Sequence, residues 1–349
     1  MNRDRIEAFL QTFVGYASGA TTMGLLAVAD RCGLLSWLGE NQSGTVEEIA
    51  DGARLEARYV EEIVSGLTAA GALEYQTETG TFTLPPEHAA FLANESSPYF
   101  MGGWIDMMPS VMSQIDGIAH AARHGGGVGF EDFGKGMIRG IDRGNGPSQR
   151  IFLLKRWLPA VPGLVDDLAG GANVADVGCG VGTAAILMAE AYPKSTVTGY
   201  DVSEESLSVA RTRSQDVDNV TFTASSVDSI ATDPPYDLVT AFDVIHDLVD
   251  PLAGMARIRE SLAPGGRFLM MEPNASSNLE ENLDPHGALL YGISALHCMT
   301  QSLARGGEGL GAAWGRQKAE EYSTRAGFGS FQPLESIENK FSAFYLLTS

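Results

Sequence analysis

Residues 176–182, with the sequence DVGCGVG, constrain the fold of this chain more than any other stretch. They begin at the end of a short apolar segment, NVADV, and precede an apolar helical pattern, TAAILMAEAY. The glycines Gly178, Gly180 and Gly182 allow a sharp strand-to-helix turn and close approach of a ligand, because they lack a Cβ. They recur at every second residue, unlike the GxGxxG of dinucleotide-binding proteins. The stretch therefore predicts a ligand site at the carboxyl end of a parallel sheet.

The surrounding pattern supports such a sheet. From about residue 166 onward, predicted strands alternate with predicted helices, and a final apolar strand, FSAFYLLTS, closes the sequence. This alternation indicates an α/β fold, with a Rossmann-like parallel sheet covered by helices on both faces. Asp201 ends the strand after the glycine loop, where its carboxylate can accept hydrogen bonds from both hydroxyls of a ribose.

Residues 1–93 have a different organisation. Apolar residues at helical spacing indicate several short helices, Thr45 can cap one of them, and ALEYQ and TFTLP alternate like the strands of a hairpin. This order predicts a winged-helix domain. The domain holds five Lys/Arg and thirteen Asp/Glu, a net charge of −8. Because phosphate contacts dominate affinity for DNA, this charge argues against nucleic-acid binding and favours a dimerisation module.

Residues 94–165 are predicted to form a helical connector and lid. Phe100, Trp104, Met107, Met108 and Val111 recur along one helical face, which is typical of a core, a dimer interface or an apolar wall of a substrate pocket. The glycine-dense stretch 124–146 has no clear periodicity. We expect it to be a loop near the active site or a flexible linker.

Together these motifs resemble the class I S-adenosylmethionine-dependent methyltransferases. Residues 176–182 match the first motif of that family, Asp201 matches the second, and residues 236–251 and 262–273 match later ones. The C-terminal runs, including YGISALHCMTQSLARGGEGLGAAWG, resemble a bacterial subfamily with an N-terminal winged helix. The layout is also similar to that of small-molecule O-methyltransferases of natural-product pathways.

The resemblance implies S-adenosylmethionine as the cofactor and assigns roles to individual residues. The glycine loop would hold the methionine moiety and Asp201 the ribose. An acidic residue that often binds the adenine amino group is replaced here by Ser226 and Val227, with Asp228 two positions beyond Ser226, so this contact stays open. The implied cofactor-binding residues are Gly178, Gly180, Gly182, Asp201, Val202, Ser226, Val227 and Phe242.

Catalysis is less closely specified. Because the methyl group of a sulfonium is already activated, the protein mainly aligns donor and acceptor. His246 follows the fourth strand of the sheet and could deprotonate a hydroxyl, oriented by Asp247 or Asp243, or it could simply pack near the pocket. His297 and His286 are further candidates. Glu272 could face substrate or cap a loop. Beyond the pair of His246 and Asp247, no carboxylate or histidine has the spacing of metal ligands, so we expect no metal.

Composition adds further limits. The chain has 349 residues, a net charge of −21 and three widely separated cysteines. We therefore expect a cytoplasmic protein with no disulfide framework, no membrane span and no nucleic-acid partner. The acceptor is expected to be a small, largely apolar organic molecule, with O-methylation favoured, and the protein to be a homodimer. The alternatives are a winged-helix regulator that senses S-adenosylmethionine and an enzyme that uses this cofactor in a non-methylating reaction.

Overall fold

The computed structural model describes residues 1–349 and divides the chain into two units. The first unit consists of Met1–Ser110 and Lys135–Pro147, and the second of Val111–Gly134 and Ser148–Ser349. Residues 94–165, predicted as a separate connector, contribute to both units.

The chain begins with one long helix, α1 (Arg3–Arg31), where the sequence pattern predicted short ones. The Asn2 side chain caps it by accepting a hydrogen bond from the backbone N–H of Arg5 at 3.2 Å. By length and composition α1 is apolar enough to cross a membrane, and only 17% of its most apolar stretch is buried. A single helix of this kind is weak evidence for a membrane span. Glycine, alanine and threonine interrupt the large apolar residues of α1, so the sequence contains no continuous apolar run of the length of a membrane span.

The expected winged helix follows and is confirmed. Its elements are, in order, α2 (Leu34–Asn41), β1 (Ser43–Gly44), α3 (Val46–Ala53), α4 (Ala57–Ala69), β2 (Glu74–Gln76), β3 (Thr81–Thr83) and α5 (Pro86–Leu92). Thr45 caps the start of α3 with a capping box. The Thr45 hydroxyl accepts a hydrogen bond from the backbone N–H of Glu48, and the Glu48 carboxylate accepts one from the backbone N–H of Thr45. The strands form an antiparallel sheet in the order β1-β3-β2, so the predicted hairpin carries an additional short strand.

Four helices follow the wing along the chain and precede the first strand of the large sheet. They are α6 (Gly102–Met112), α7 (Ile115–His124), α8 (Lys135–Phe152) and α9 (Leu164–Gly170). The prediction of a loop over residues 124–146 is thus wrong from Lys135 onward. Glycines Gly140 and Gly144 of α8 lie against Gly103 of α6, where a Cβ on Gly103 would meet the Gly144 nitrogen at 2.3 Å. Close backbone packing therefore compensates for the low helix propensity of glycine.

Charged side chains join α8 to α1 and α6 within the first unit. Asp106 of α6 is buried and accepts hydrogen bonds from Arg139 and Arg143 of α8. Arg143 also binds Asp30 of α1 at 2.7 Å and Glu95 at 2.8 Å. Burial would raise the pKa of Asp106, but the two guanidinium groups outweigh burial and lower it. Asp106 is therefore ionised and fully paired.

The second unit is built on a seven-stranded sheet. Its remaining elements are β4 (Asn173–Val177), α10 (Thr183–Ala191), β5 (Thr196–Asp201), α11 (Glu204–Arg213), β6 (Val220–Ala224), β7 (Tyr236–Phe242), α12 (Pro251–Ser261), β8 (Leu262–Pro273), α13 (Pro285–Ile293), α14 (Met299–Ala304), α15 (Gly315–Arg325), β9 (Ser330–Pro333) and β10 (Ser342–Thr348). The strand order is β6-β5-β4-β7-β8-β10-β9. Strands β4 to β8 are parallel, and β10 is antiparallel to both β8 and β9. The α/β prediction is confirmed, and β9 is an addition to it.

Strand register places the predicted site residues along one edge of this sheet. Val177 pairs with both Tyr200 and Ala241, and Phe242 pairs with Met271. The carboxyl ends of β4, β5, β7 and β8 therefore meet at one edge. Apolar clusters bury both faces of the sheet, as expected for parallel strands.

Candidate active site

The predicted glycine loop joins β4 to α10. Gly178, Gly180 and Gly182 all have left-handed backbone angles, with φ of 64°, 55° and 80°. A Cβ on Gly178 would lie 2.4 Å from Val244, and one on Gly182 would lie 2.7 Å from Phe222. A Cβ on Gly180 would meet nothing within 4 Å. Packing thus requires the outer two glycines, whereas the middle one borders open space that a ligand can enter.

Asp201, at the end of β5, is bound to this loop. Its Oδ2 accepts from the backbone N–H of Gly180, and its Oδ1 accepts from that of Ser203, each at 2.8 Å. Burial raises the pKa of Asp201. Each carboxylate oxygen has a second acceptor lone pair, so the group can still bind a diol. The open space at Gly180 and this carboxylate fit the ribose and methionine portions of S-adenosylmethionine.

The other predicted cofactor residues are placed as follows. Val202 is exposed, and Val227 is buried in a 3₁₀ turn after β6. The Ser226 hydroxyl donates to Asp228, so this hydroxyl has a partner of its own. Phe242 ends β7 and packs with its ring centroid 5.5 Å from that of Trp157. Their cofactor-binding roles stay predictions.

Asp176, the first residue of the motif, is 2% exposed. The Thr240 hydroxyl donates to its Oδ1 at 2.7 Å, which bridges β4 and β7 below the loop. Burial raises the pKa of Asp176 to about 7, and the charge of Asp201 acts in the same direction. Asp176 therefore supports the loop from inside the sheet.

His246 lies in a 3₁₀ turn, Ile245–Asp247, after β7 and is only 3% exposed. Its Nδ1 lies 2.6 Å from Oε2 of Glu272, and its Nε2 lies 3.3 Å from Oδ1 of Asp247. Burial alone would lower the pKa of His246, but the charges of Asp247 and Glu272 outweigh burial and raise it well above its usual value. Because an ionised carboxylate only accepts, His246 carries a proton on Nδ1.

Glu272, near the end of β8, holds this turn. Besides His246, it accepts from the backbone N–H of Val244 at 3.3 Å and Ile245 at 2.9 Å, and from the indole of Trp314 at 3.0 Å. Of the two roles left open by the sequence, these contacts favour loop binding. The contact of Trp314 is not predictable from local sequence, because this tryptophan lies about forty residues after Glu272.

The other two candidate histidines have different surroundings. His297 is buried, its ring is T-shaped against Phe133 at 4.8 Å, and its Nδ1 has no hydrogen-bond partner. Burial lowers the pKa of His297. His286 is half-buried, with Nε2 3.1 Å from the carbonyl oxygen of Asn274 and its ring beside Phe341. The structure brings His297, but not His286, into electrostatic contact with His246.

Comparisons with known proteins agree with this architecture. A methyltransferase domain family matches residues 168–324, and the Rv2258c-like winged HTH domain family matches residues 19–94. The trans-aconitate 2-methyltransferase of Methylobacterium nodulans is 37% identical over 114 residues, which are 33% of this chain and 42% of that protein. The ubiquinone biosynthesis O-methyltransferase of Nitrosospira multiformis is 35% identical over 99 residues, 28% of this chain and 41% of that protein. This chain therefore matches less than half the length of either relative.

Solved structures share the complete fold. Human N-acetylserotonin methyltransferase, in complex with SAM, has a TM-score of 0.71 at 20% identity, covering 100% of this chain and 99% of that one. The mitomycin 7-O-methyltransferase MmcR has a TM-score of 0.73 at 15% identity, covering 100% of both chains. The expected methyltransferase domain is confirmed for residues 168–324. Residues 168–324 belong to the methyltransferase domain family, and a winged helix-turn-helix domain precedes them.

Proposed function

We propose that this protein transfers the methyl group of S-adenosylmethionine to an oxygen of a small organic molecule. The observation that carries the proposal is the buried pair of His246 and Glu272 beside the glycine loop. The two sites adjoin because Val244, two residues before His246, packs against Gly178. A proton-accepting side chain thus lies next to the loop that fits the cofactor.

The chemistry of such a site divides between binding and proton transfer. When bound, S-adenosylmethionine supplies an activated methyl group, so orientation of the acceptor provides most of the rate enhancement. Glu272 engages Nδ1 of His246, so Nε2 is the nitrogen that accepts the hydroxyl proton. Because the pKa of His246 is raised, Nε2 is protonated at neutral pH and becomes a base only as pH rises through that pKa. Asp247, 3.3 Å from Nε2, stabilises the imidazolium that forms. We assign His246 as the catalytic base and Glu272 as its positioning residue.

The nature of the acceptor rests on two supports. Phe133 contacts His297, and Phe130 lies 6.0 Å from the same ring, so the surroundings of this buried histidine are aromatic. The names of two matched proteins also state small organic acceptors, trans-aconitate and mitomycin, and the name of a third states transfer to an oxygen. We infer a small, largely apolar acceptor with a hydroxyl group.

Calorimetry with S-adenosylmethionine and S-adenosylhomocysteine tests the cofactor half of the proposal. Absence of binding by the full chain would eliminate it. Turnover is then followed as S-adenosylhomocysteine release with a panel of hydroxylated aromatic compounds, and product masses distinguish methylation from non-methylating chemistry. Release of S-adenosylhomocysteine with an O-methylated product is the expected result.

We further infer a cytoplasmic homodimer. The three cysteines are free thiols, which suits a reducing compartment. One side of α1 exposes Ile6, Phe9, Leu10, Phe13, Val14 and Tyr16. A soluble monomer rarely exposes such a contiguous apolar stripe, and the acidic domain that carries it would be repelled by an anionic membrane, so a second copy of the chain is the proposed occupant.

The winged helix keeps one alternative open, a regulator that binds DNA. Arg58 of α4, the helix at the recognition position, is paired with Glu61 and Glu62 of the same helix. These acidic neighbours disfavour phosphate contact. A gel shift with genomic fragments at several salt concentrations separates the alternatives: salt-dependent retention would favour the regulator, and no retention is expected.

A further inference from the structure

Three potential metal ligands converge at the turn after β7. His246 Nε2, Asp247 Oδ1 and Cys298 Sγ all lie within 4.8 Å of one another. In the sequence only His246 and Asp247 are adjacent, and that pair alone does not predict a metal site. Cys298 comes from a π-helical segment some fifty residues later, and folding places it beside this pair.

The chemistry of these three groups suits a soft divalent cation. Imidazole, carboxylate and thiolate are the side chains that bind zinc, at about 2.0 Å for nitrogen and oxygen and about 2.3 Å for sulfur. Ligand atoms of a tetrahedral zinc site are therefore about 3–4 Å apart. Nε2 and Oδ1 are 3.3 Å apart, which is within this range, and Cys298 Sγ lies within 4.8 Å of both atoms.

Two features point to a cation at this position. Oδ1 of Asp247 is buried and accepts no hydrogen bond although it lies 3.3 Å from Nε2 of His246, and a cation would bind both atoms. On the other side of the imidazole, His246 Nδ1 contacts Glu272 at 2.6 Å. Histidine ligands of zinc commonly donate their second N–H to a carboxylate in this way, which fixes the ring and raises its basicity.

We propose that His246, Asp247 and Cys298 form a binding site for Zn²⁺. The ion bonds to Nε2, to a carboxylate oxygen and to sulfur, and the Nε2 proton of His246 and the thiol proton of Cys298 are both released to solvent. The three protein ligands leave a fourth coordination position for water. The thiolate selects zinc over magnesium and calcium, which prefer oxygen ligands.

Zinc would also act as an inhibitor, a consequence that rests on the proposed function. Its bond to Nε2 occupies the lone pair that accepts the proton of the acceptor hydroxyl. Because the ion removes the base from use without blocking the glycine loop, zinc should reduce kcat and leave affinity for S-adenosylmethionine unchanged.

Binding is tested with Co²⁺ as a spectroscopic substitute for Zn²⁺, on the full chain without cofactor. We expect thiolate-to-cobalt charge-transfer absorption that saturates at one ion per chain and disappears when Zn²⁺ is added. Cys298→Ser should abolish this absorption, whereas Cys32→Ser, which changes a cysteine of the first unit, should leave it intact. Equal absorption from the wild type and Cys298→Ser would overturn the proposal.

Two further variants keep the test valid if Cys298→Ser fails to fold. Asp247→Asn alters a half-exposed ligand and should weaken Zn²⁺ binding in competition with a chromophoric chelator. Glu272→Gln, which alters the partner of a ligand, should weaken it by about 10–100-fold. Unchanged affinity in Asp247→Asn would refute the site. Because binding needs neither cofactor nor turnover, its failure is distinguishable from failure of the methyltransferase proposal.

Discussion

Oε2 of Glu272 lies 2.6 Å from Nδ1 of His246, and this contact fixes which nitrogen of the imidazole can accept a proton. The pair joins the end of β8 to the turn after β7. Its orientation does not depend on bound substrate, because Glu272 is also held by two backbone N–H groups and the Trp314 indole.

The first prediction concerns this pair. His246→Ala should lower kcat by about 10²–10⁴-fold, because it removes the base. Glu272→Gln should lower kcat less, because it weakens orientation but keeps the imidazole. Calorimetry should detect no change in S-adenosylmethionine affinity in either variant. His286→Ala is the histidine control, with kcat unchanged; a loss below about tenfold for His246→Ala would instead indicate catalysis by positioning alone.

The second prediction concerns Asp201. Asp201→Asn should weaken binding of S-adenosylhomocysteine by about tenfold to a hundredfold, since a hydrogen bond to a charged group contributes about 1.5–3 kcal/mol. Isothermal titration measures the dissociation constant. The matched control is Asp216→Asn, which removes the same charge from an exposed position. If both variants bind equally well, Asp201 does not contact the cofactor.

The third prediction concerns oligomeric state. Light scattering at micromolar concentration should give the mass of two chains for the wild type. Phe9→Glu combined with Phe13→Glu places two charges on the exposed apolar stripe of α1 and should yield a monomer. Gln11→Glu adds a charge on the opposite side of the same helix and should remain a dimer. A monomeric wild type would contradict the prediction.

The fourth prediction uses the raised pKa of Asp176, which is about 7 in the folded protein. An unfolded aspartate has a pKa of about 3.9. At a pH between these two pKa values, only the folded state keeps the Asp176 proton. The contribution of this carboxyl group to the free energy of unfolding is therefore complete below about pH 4 and is lost as pH rises to about 7. The free energy of unfolding should fall by about 1.4 kcal/mol for each pH unit in this window.

Asp176→Asn removes that proton equilibrium while it preserves an oxygen for the Thr240 hydroxyl. Urea unfolding at several pH values should therefore find the variant increasingly stable relative to the wild type as pH rises. Asp216→Asn controls for net charge. Stability curves that stay parallel for Asp176→Asn and the wild type would contradict this prediction.

The fifth prediction concerns the packing of α6 on α8. Gly103→Ala should destabilise the protein by about 1–3 kcal/mol, because its Cβ would meet the Gly144 backbone at 2.3 Å. Gly19→Ala, where a Cβ meets nothing within 4 Å, should stabilise α1 by about 0.5–1 kcal/mol. Chemical denaturation measures both, and the same sign for the two variants would be the contrary result.

The site could be predicted from sequence where it depends on local chain geometry. The glycine loop and Asp201 belong to consecutive elements, so their spacing alone places them together. Glu272, Trp314 and Cys298 reach His246 through tertiary packing, and no local pattern indicates their contacts.

The same distinction between local and tertiary effects explains why part of the fold was predicted wrongly. Glycines at 136, 140 and 144 lower helix propensity, and the sequence analysis predicted a loop there. Their four-residue spacing instead provides a smooth side of α8 against which α6 packs. Helix propensity is a property of single residues, whereas the packing of two crossing helices depends on pairs of residues far apart in sequence.

The position of β10 affects how the protein can be made. This strand follows every other strand in the chain, yet it lies between β8 and β9 in the sheet. During synthesis on the ribosome, the outer edge of β8 therefore has no neighbour until β10 emerges. An open strand edge invites pairing with other chains. Nascent molecules are thus most prone to association before β10 emerges, and chaperone binding at that stage would protect them.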